Sequence, residues 1–278
     1  MKKVFLMAFL IAIGSLGFAQ VQMPQPSPTQ YIKQDFGMSS IELTYSRPGV
    51  KGRSIIGNLE PWDAVWRTGA NAPTKIKFND PVEIGGKKVD SGTYVLYTIP
   101  KKDGNWIVIL NKGLNNWGAD GYKESEDVLR TIVKSGNNPQ KVETLTMQFS
   151  DVKPESCNLN IKWEDFSLQI PILTNIKDKV RAQFEAALQP DKKPYWQAAQ
   201  FYNEYDKNYP KALEMINSAL SQAKSPAYYM VYYKAVIQKN MGDKSGAMAT
   251  SKQALQLAKD AKNAGYISLN EKLMKDLK

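Results

Sequence analysis

Histidine is absent from the whole chain. That absence removes Ser-His and Cys-His triads, His-ligated metal sites and imidazole acid–base catalysis. Any reaction would have to run on carboxylates, Lys, Tyr or a metal held through oxygen, so binding is expected over catalysis. Cysteine is nearly absent: Cys157 is the only one. One thiol makes neither an internal disulfide nor a thiolate zinc site. It alternates with Leu159, Ile161 and Trp163 on the apolar face of an expected strand, where a free thiol is buried and inert. Apolar runs of membrane-spanning length are also missing. The longest candidate, Val4 to Ile13, is shorter than the ~20 residues a helix needs to cross a bilayer.

That short run belongs to a recognisable leader. Lys2 and Lys3 precede it, and small residues at Gly17 and Ala19 follow it, the pattern of a signal peptide cleaved before Gln20. Residues 1–19 are therefore expected to be removed, leaving a periplasmic or secreted protein with no transmembrane anchor. Export argues against nucleic acid as a partner.

The sequence as a whole is rich enough to fold, with 42% hydrophobic and 10% aromatic residues, unlike a disordered chain. Its charge is uneven. Residues 20–171 hold 18 Lys and Arg against 17 Asp and Glu, a net +1, whereas residues 172–278 hold 17 against 10, a net +7. The asymmetry suggests two domains. The basic part suits an anionic envelope component, an acidic protein or simply water.

Residues 20–30, with three prolines, read as an extended lead-in. From 31 to 171 a two-residue period dominates: Ile41, Leu43 and Tyr45; Ile76 and Phe78; Leu145, Met147 and Phe149; Cys157 to Trp163; Phe166, Leu168 and Ile170. Each predicts a strand with one dry face. Thr93 to Ile99 and Trp106 to Leu110 are apolar on both faces, so they are expected at the centre of a sheet, joined by a turn at Asp103-Gly104. Gly85-Gly86 predicts a second hairpin, and Val128 to Val133 fits a strand better than a helix. About nine short strands give an antiparallel β-sandwich-like domain or a partly open barrel.

Past Pro171 the period becomes 3.6, and residues 175–278 read as an all-α domain, giving an α+β chain whose two parts are separate. Asp178 to Leu188 predicts its first helix and Tyr266 to Leu277 its last. Between them Ala212, Leu213, Ala219 and Leu220 recur 35 residues later as Ala247, Met248, Ala254 and Leu255. This resembles tetratricopeptide units, whose period is about 34, although Gln200 and Ser251 depart from the usual pattern. Tyr228, Tyr229, Tyr232 and Tyr233 fall at helical spacing, serving either the core of the array or a concave groove for a protein or peptide partner.

The most distinctive stretches are Tyr45 to Gly57 (YSRPGVKGRSIIG), Pro61 to Phe78, Ile84 to Pro100 and Ile109 to Tyr122. VWRTGAN, the GGKKV–SGTY hairpin and the ILNK–WGA segment together resemble the domain-of-unknown-function family 2911 over about residues 24–171. The resemblance implies an all-β exported domain without an assigned activity, and it carries over no catalytic residues.

The residues themselves suggest a site. Arg67, Thr68 and Asn71 surround Gly69, which suits a tight turn with amides facing a ligand. Arg47, Arg53 and Lys112 add donors, and Trp62, Trp66 and Trp117 add flat faces, a set suited to a polar small molecule or glycan. The competing reading has Arg67 capping carbonyls or pairing with Asp63 while the Trp residues fill the core. For a glycan or peptide hydrolase, Asp63, Glu83, Asp120 and Glu124 are available, but none is distinguished by its context. The run from Asp120 lacks calcium-loop spacing, and Gly85-Gly86-Lys87-Lys88 lacks the phosphate-loop frame. No metal and no cofactor is expected.

Overall fold

The computed structural model describes residues 23–187, 194–223 and 227–278. The expected leader lies outside them, as does Leu188. The chain divides into two compact units between Thr174 and Asn175.

Among the described residues the first unit is built from nine strands: β1 (Thr29–Phe36), β2 (Ser39–Ser46), β3 (Lys75–Phe78), β4 (Val82–Ile84), β5 (Lys87–Val89), β6 (Gly92–Ile99), β7 (Asn105–Asn111), β8 (Asp127–Ser150) and β9 (Ser156–Leu173). Their order in the sheet is β1-β2-β3-β6-β7-β8-β9-β4-β5, and every pairing is antiparallel. Strand β8 makes the architecture. Up to Lys134 it pairs with β7, and from Ser135 onward it pairs with β9. The strand thereby passes from one layer to another, as corner strands of packed sheets do. Leu43, Tyr45, Ile76, Leu96 and Val108 from the first layer share one buried cluster with Met147, Leu159, Ile161 and Trp163 from the second. Alternation places these residues inward, so the sandwich-like core follows from the period.

Two expected pairs of strands turn out to be single strands. The segments at 128–133 and 145–149 are both β8, and those at 157–163 and 166–170 are both β9. Register shifts at Asn137/Val142 and Val142/Thr146, and Glu164 at φ 47°, interrupt the alternation without ending the pairing. A bulge resets which face points inward. Trp163 and Phe166, three apart, are therefore both buried while Asp165 is outside.

The lead-in also differs from expectation. Thr29 and Gln30 already belong to β1, paired with Ser46 and Tyr45, and the Arg47 amide donates to the Pro28 carbonyl at 2.9 Å. Strand β1 was not expected at all, because Gln30, Lys33, Gln34 and Asp35 dilute its pattern.

The central hairpin β6–β7 is covered on both sides. Its outer face (Val95, Tyr97, Ile99 and Ile109) is roofed by Val65, Leu114 and Tyr122. The roof is a pair of loops rather than a sheet, running through residues 61–72 and 112–126. These loops carry the candidate site.

Among the described residues the second unit has six helices: α1 (Lys177–Ala187), α2 (Tyr195–Glu204), α3 (Tyr209–Gln222), α4 (Tyr228–Asn240), α5 (Lys244–Asp260) and α6 (Ala264–Asp276). The 35-residue repeat falls on α3 and α5. Asn208 and Asp243 are their N-caps, and each side chain accepts from the amide three residues on, Lys211 and Gly246. Ala212, Ala219, Ala247 and Ala254 are buried, small residues that let neighbouring helices approach closely.

Candidate functional site

The VWRTGAN loop is held by its own backbone. The Trp66 amide donates to the Thr98 carbonyl at 2.8 Å and the Thr98 amide donates back at 3.0 Å. This stitches the loop to β6. Trp66 is 2% exposed, its ring stacked 5.9 Å from Trp163 and edge-on to Phe166. Its indole N–H donates to the Gly69 carbonyl at 3.3 Å. Thr68 is wholly buried, sharing a hydrogen bond with the Thr98 hydroxyl at 3.1 Å while its carbonyl accepts from the Thr74 hydroxyl at 2.6 Å. Trp66 and Thr68 therefore belong to the interior rather than to a ligand surface.

The turn is made differently from the expectation. Thr68 (φ 54°) and Asn71 (φ 57°) take the left-handed conformation, and Gly69 does not. Gly69 is needed for space instead. A Cβ there would lie 3.0 Å from the Thr74 hydroxyl oxygen and 3.4 Å from the Ser46 carbonyl oxygen.

Three expected ligand donors are committed to the fold. Arg47 donates from Nε to the Leu145 carbonyl at 3.0 Å and from Nη2 to the Thr146 hydroxyl at 2.9 Å. Arg53 holds the carbonyls of Val50 and Gly49 at 3.0 and 2.7 Å. The Asn71 amide donates to the Ser27 carbonyl at 3.2 Å, tying down the lead-in. Lys112 is exposed on the following loop, its backbone amide bonded to the Glu126 carbonyl.

Arg67 stands apart. Asp63, its expected partner, pairs with Lys101 at 2.6 Å. No hydrogen bond or ion pair reaches the Arg67 guanidinium among the described residues, and its Nε is buried without an acceptor. Buried polar groups are nearly always satisfied, so an exception points to water, an ion or a ligand. Beside Arg67 runs the loop 112–122. A Cβ added to Gly118 (φ 62°) would lie 2.8 Å from Arg67 Nη1, so the guanidinium lies against this glycine.

The next residue, Trp117, is 67% exposed. The loop that presents it is braced from below. Buried Asn111 donates its amide to the Lys123 carbonyl at 2.9 Å and to Asp127 at 2.8 Å, and it accepts from the Gly113 amide at 2.8 Å. Asp127 also accepts from the Tyr122 hydroxyl at 2.7 Å and from Arg130 at 3.0 Å. Burial, joined by the hydrogen bond to that carboxylate, pushes the Tyr122 phenol well above its ordinary range. Asn116 donates to the Tyr97 hydroxyl at 3.3 Å.

One further group was not anticipated from the sequence. Burial pushes the Glu60 carboxyl up to about 7, with the positive charges of Arg67 and Arg53 opposing the rise. Nothing in the run Gly57 to Pro61 marks it out. Gly118 had a weak signal in the glycine density of WGADGY. Among the described residues no group of three or more Asp, Glu, His or Cys is placed to hold a metal.

In the helical unit the four tyrosines of α4 divide between two neighbours. Tyr229 and Tyr233 pack edge-on against Trp196 of α2, while Tyr228 and Tyr232 pack against Tyr266 of α6. The Tyr233 hydroxyl donates to Glu204 at 2.6 Å and accepts from Asn203. Tyr232 also borders a small groove of about 230 Å³ between α4 and α6. No helix among the described residues is long and apolar enough to cross a membrane.

No curated protein and no solved structure matches the chain. A family model does: the protein of unknown function family DUF2911, over residues 27–172. That match takes in the sheet, the VWRTGAN loop and the braced loop carrying Trp117, and it spans more than half the sequence: the chain belongs to the DUF2911 family.

Proposed function

We propose that the β domain is a binding module that takes a carboxylate-bearing polar ligand, an organic acid or the acidic end of a glycan, on Arg67 beside Trp117. The observation that carries this reading is the unpartnered guanidinium. An unsatisfied buried donor costs about 1–3 kcal/mol, a penalty that an incoming oxyanion would relieve. The planar fork of Arg matches a carboxylate with two parallel hydrogen bonds. The exposed ring of Trp117 offers the body of the ligand a flat face. With Glu60 close by, a singly charged ligand fits better than a dianion. Trp66 and Thr68 anchor the loop that carries Arg67 to Thr98, and Lys112 lies on the same loop as Trp117.

The leader-like N-terminus supports export to the periplasm or beyond. The 35-residue repeat supports a tetratricopeptide-like array that docks a protein partner, with the groove beside Tyr232 as its contact. A hydrolase reading rests on Glu60, whose raised carboxyl could serve as a general acid. The charges that oppose the rise at Glu60 are those of Arg67 and Arg53, whereas glycoside hydrolysis uses a second carboxylate.

The test is calorimetric titration of the mature protein with benzoate, glucuronate and inorganic phosphate. Saturable carboxylate binding that disappears in Arg67→Gln supports the module. Equal binding by wild type and variant removes Arg67 from the site, and turnover of a glycan or peptide would favour the hydrolase.

A further inference from the structure

The corner where β8 changes layers leaves a cleft of about 500 Å³ on the β domain. That is within the roughly 300–1,000 Å³ of small-molecule sites. Its apolar wall is Ile56 and Phe166 with the half-buried ring of Trp62. Trp62 is fixed in place, because Gly57 (φ 92°) lies so close that a Cβ there would overlap the indole nitrogen.

The rim is charged but balanced. Lys101, Lys102 and Lys134 face Asp103, Glu164 and Asp165. The carboxylates are engaged: Asp103 accepts from the Asn105 amide at 2.9 Å, Glu164 from the Ile55 amide at 2.9 Å, and Asp165 pairs with Lys141 at 3.2 Å. Lys101 is held by Asp63. The side chains of Ser54, Asn137, Lys102 and Lys134 have no hydrogen-bond or ion-pair partner among the described residues. The uncommitted set is thus a hydroxyl, a carboxamide and two ammonium groups, arranged beside a flat aromatic face.

A strongly anionic ligand would meet three carboxylates, and a cationic one would meet three lysines. An uncharged molecule with many hydroxyls and one apolar face meets neither penalty. We infer that this cleft is a saccharide-binding site, in which a neutral pyranose ring stacks on Trp62 and its hydroxyls bond Asn137, Ser54 and the two free lysines. Stacking on an indole face supplies the apolar part of the contact, and the neutral donors fix the ring's orientation. The inference stands apart from the carboxylate reading at Arg67.

The experiment is calorimetric titration of the whole mature protein with maltotriose, cellotriose and chitotriose, alongside trigalacturonate. At least one neutral trisaccharide is expected to bind, with affinity that changes little between low and high salt. Trp62→Ala should lose about tenfold or more, and Asn137→Ala, an exposed position, about threefold to tenfold, from hydrogen-bond and aromatic contact energies. Trp62→Phe, which keeps a ring, should bind if the alanine variant fails to fold. Arg67→Gln should leave the affinity unchanged, which separates this site from the other. Absence of binding to every neutral trisaccharide overturns the inference. So does unchanged affinity in both Trp62→Ala and Asn137→Ala, or tenfold tighter binding of trigalacturonate.

Discussion

Arg67 Nη1 lies against Gly118, so close that a methyl group on that glycine would come within 2.8 Å of it. The contact joins the VWRTGAN loop to the loop that exposes Trp117. It also makes Gly118 a lever on the guanidinium. Gly118→Ala would strain a backbone at φ 62° and displace the flexible end of Arg67. The expected cost in stability is about 1 kcal/mol, from the conformation alone. Gly52→Ala is the matched control, since Gly52 has φ 69° and open space around its Cβ position. Both variants should lose similar stability in denaturant titration, and only Gly118→Ala should lose carboxylate binding. Equal binding by the two would show that the contact does not matter for the ligand.

Trp117→Ala should separate stability from recognition. The ring is 67% exposed, and surface substitutions usually change stability by less than about 0.5 kcal/mol. The melting temperature should therefore hold while affinity for benzoate falls several-fold. A large drop in melting temperature would mean that the ring supports the loop instead of a ligand.

Glu60 should make stability depend on pH. Its folded-state carboxyl titrates at about 7, against 4.5 for the ordinary group. Below 4.5 both folded and unfolded chains hold the proton, so nothing is gained or lost. Between 4.5 and 7 the folded chain keeps a proton that the unfolded chain has released, and stability falls as pH rises. Above 7 the full penalty is present. Allowing for the part of the carboxyl that water reaches, it is on the order of 1–2 kcal/mol. Glu60→Gln removes it. The variant should match wild type in urea melts at pH 4 and exceed it at pH 8. A gain of the same size at both pH values would mean that the benefit is not electrostatic.

Much of the sheet was legible because alternation is a local property. Ile41, Leu43 and Tyr45 show their inward face in five residues, and the two-sided burial of β6 is written in Thr93 to Ile99. The continuity of β8 and β9 was not legible, because register shifts between Asn137 and Thr146 in β8 and the left-handed residue Glu164 in β9 break the alternation and make each strand look like two. The candidate site was readable in residue type and unreadable in role. Arg47 looked like a free donor until Leu145, 98 positions on, supplied its acceptor. Asp63, the expected partner of Arg67, is taken instead by Lys101, 38 positions away. Trp66 and Trp117 carry the same indole, and tertiary packing alone puts one in the core and the other at a loop tip.

The brace under Trp117 gives the last expectation. Asn111 is fully buried and uses both ends of its amide, donating to Lys123 and Asp127 and accepting from Gly113. Asn111→Leu is close in volume and removes every one of these bonds. It would strand the Gly113 amide, at about 1–3 kcal/mol for a buried donor left unpaired, and take one donor each from Asp127 and from the Lys123 carbonyl, which keeps the Glu126 amide. Asn111→Asp keeps the acceptor for Gly113 but places a second carboxylate against Asp127. Both should lower stability, the leucine variant by about 2–4 kcal/mol in urea titration. Amide exchange at Gly113 should quicken before exchange in β6 does, because the loop opens locally while the sheet beneath it holds. If exchange in β6 accelerates in step, the loop and the central hairpin form one cooperative unit. Trp117 would then be presented by the whole sheet rather than by its brace.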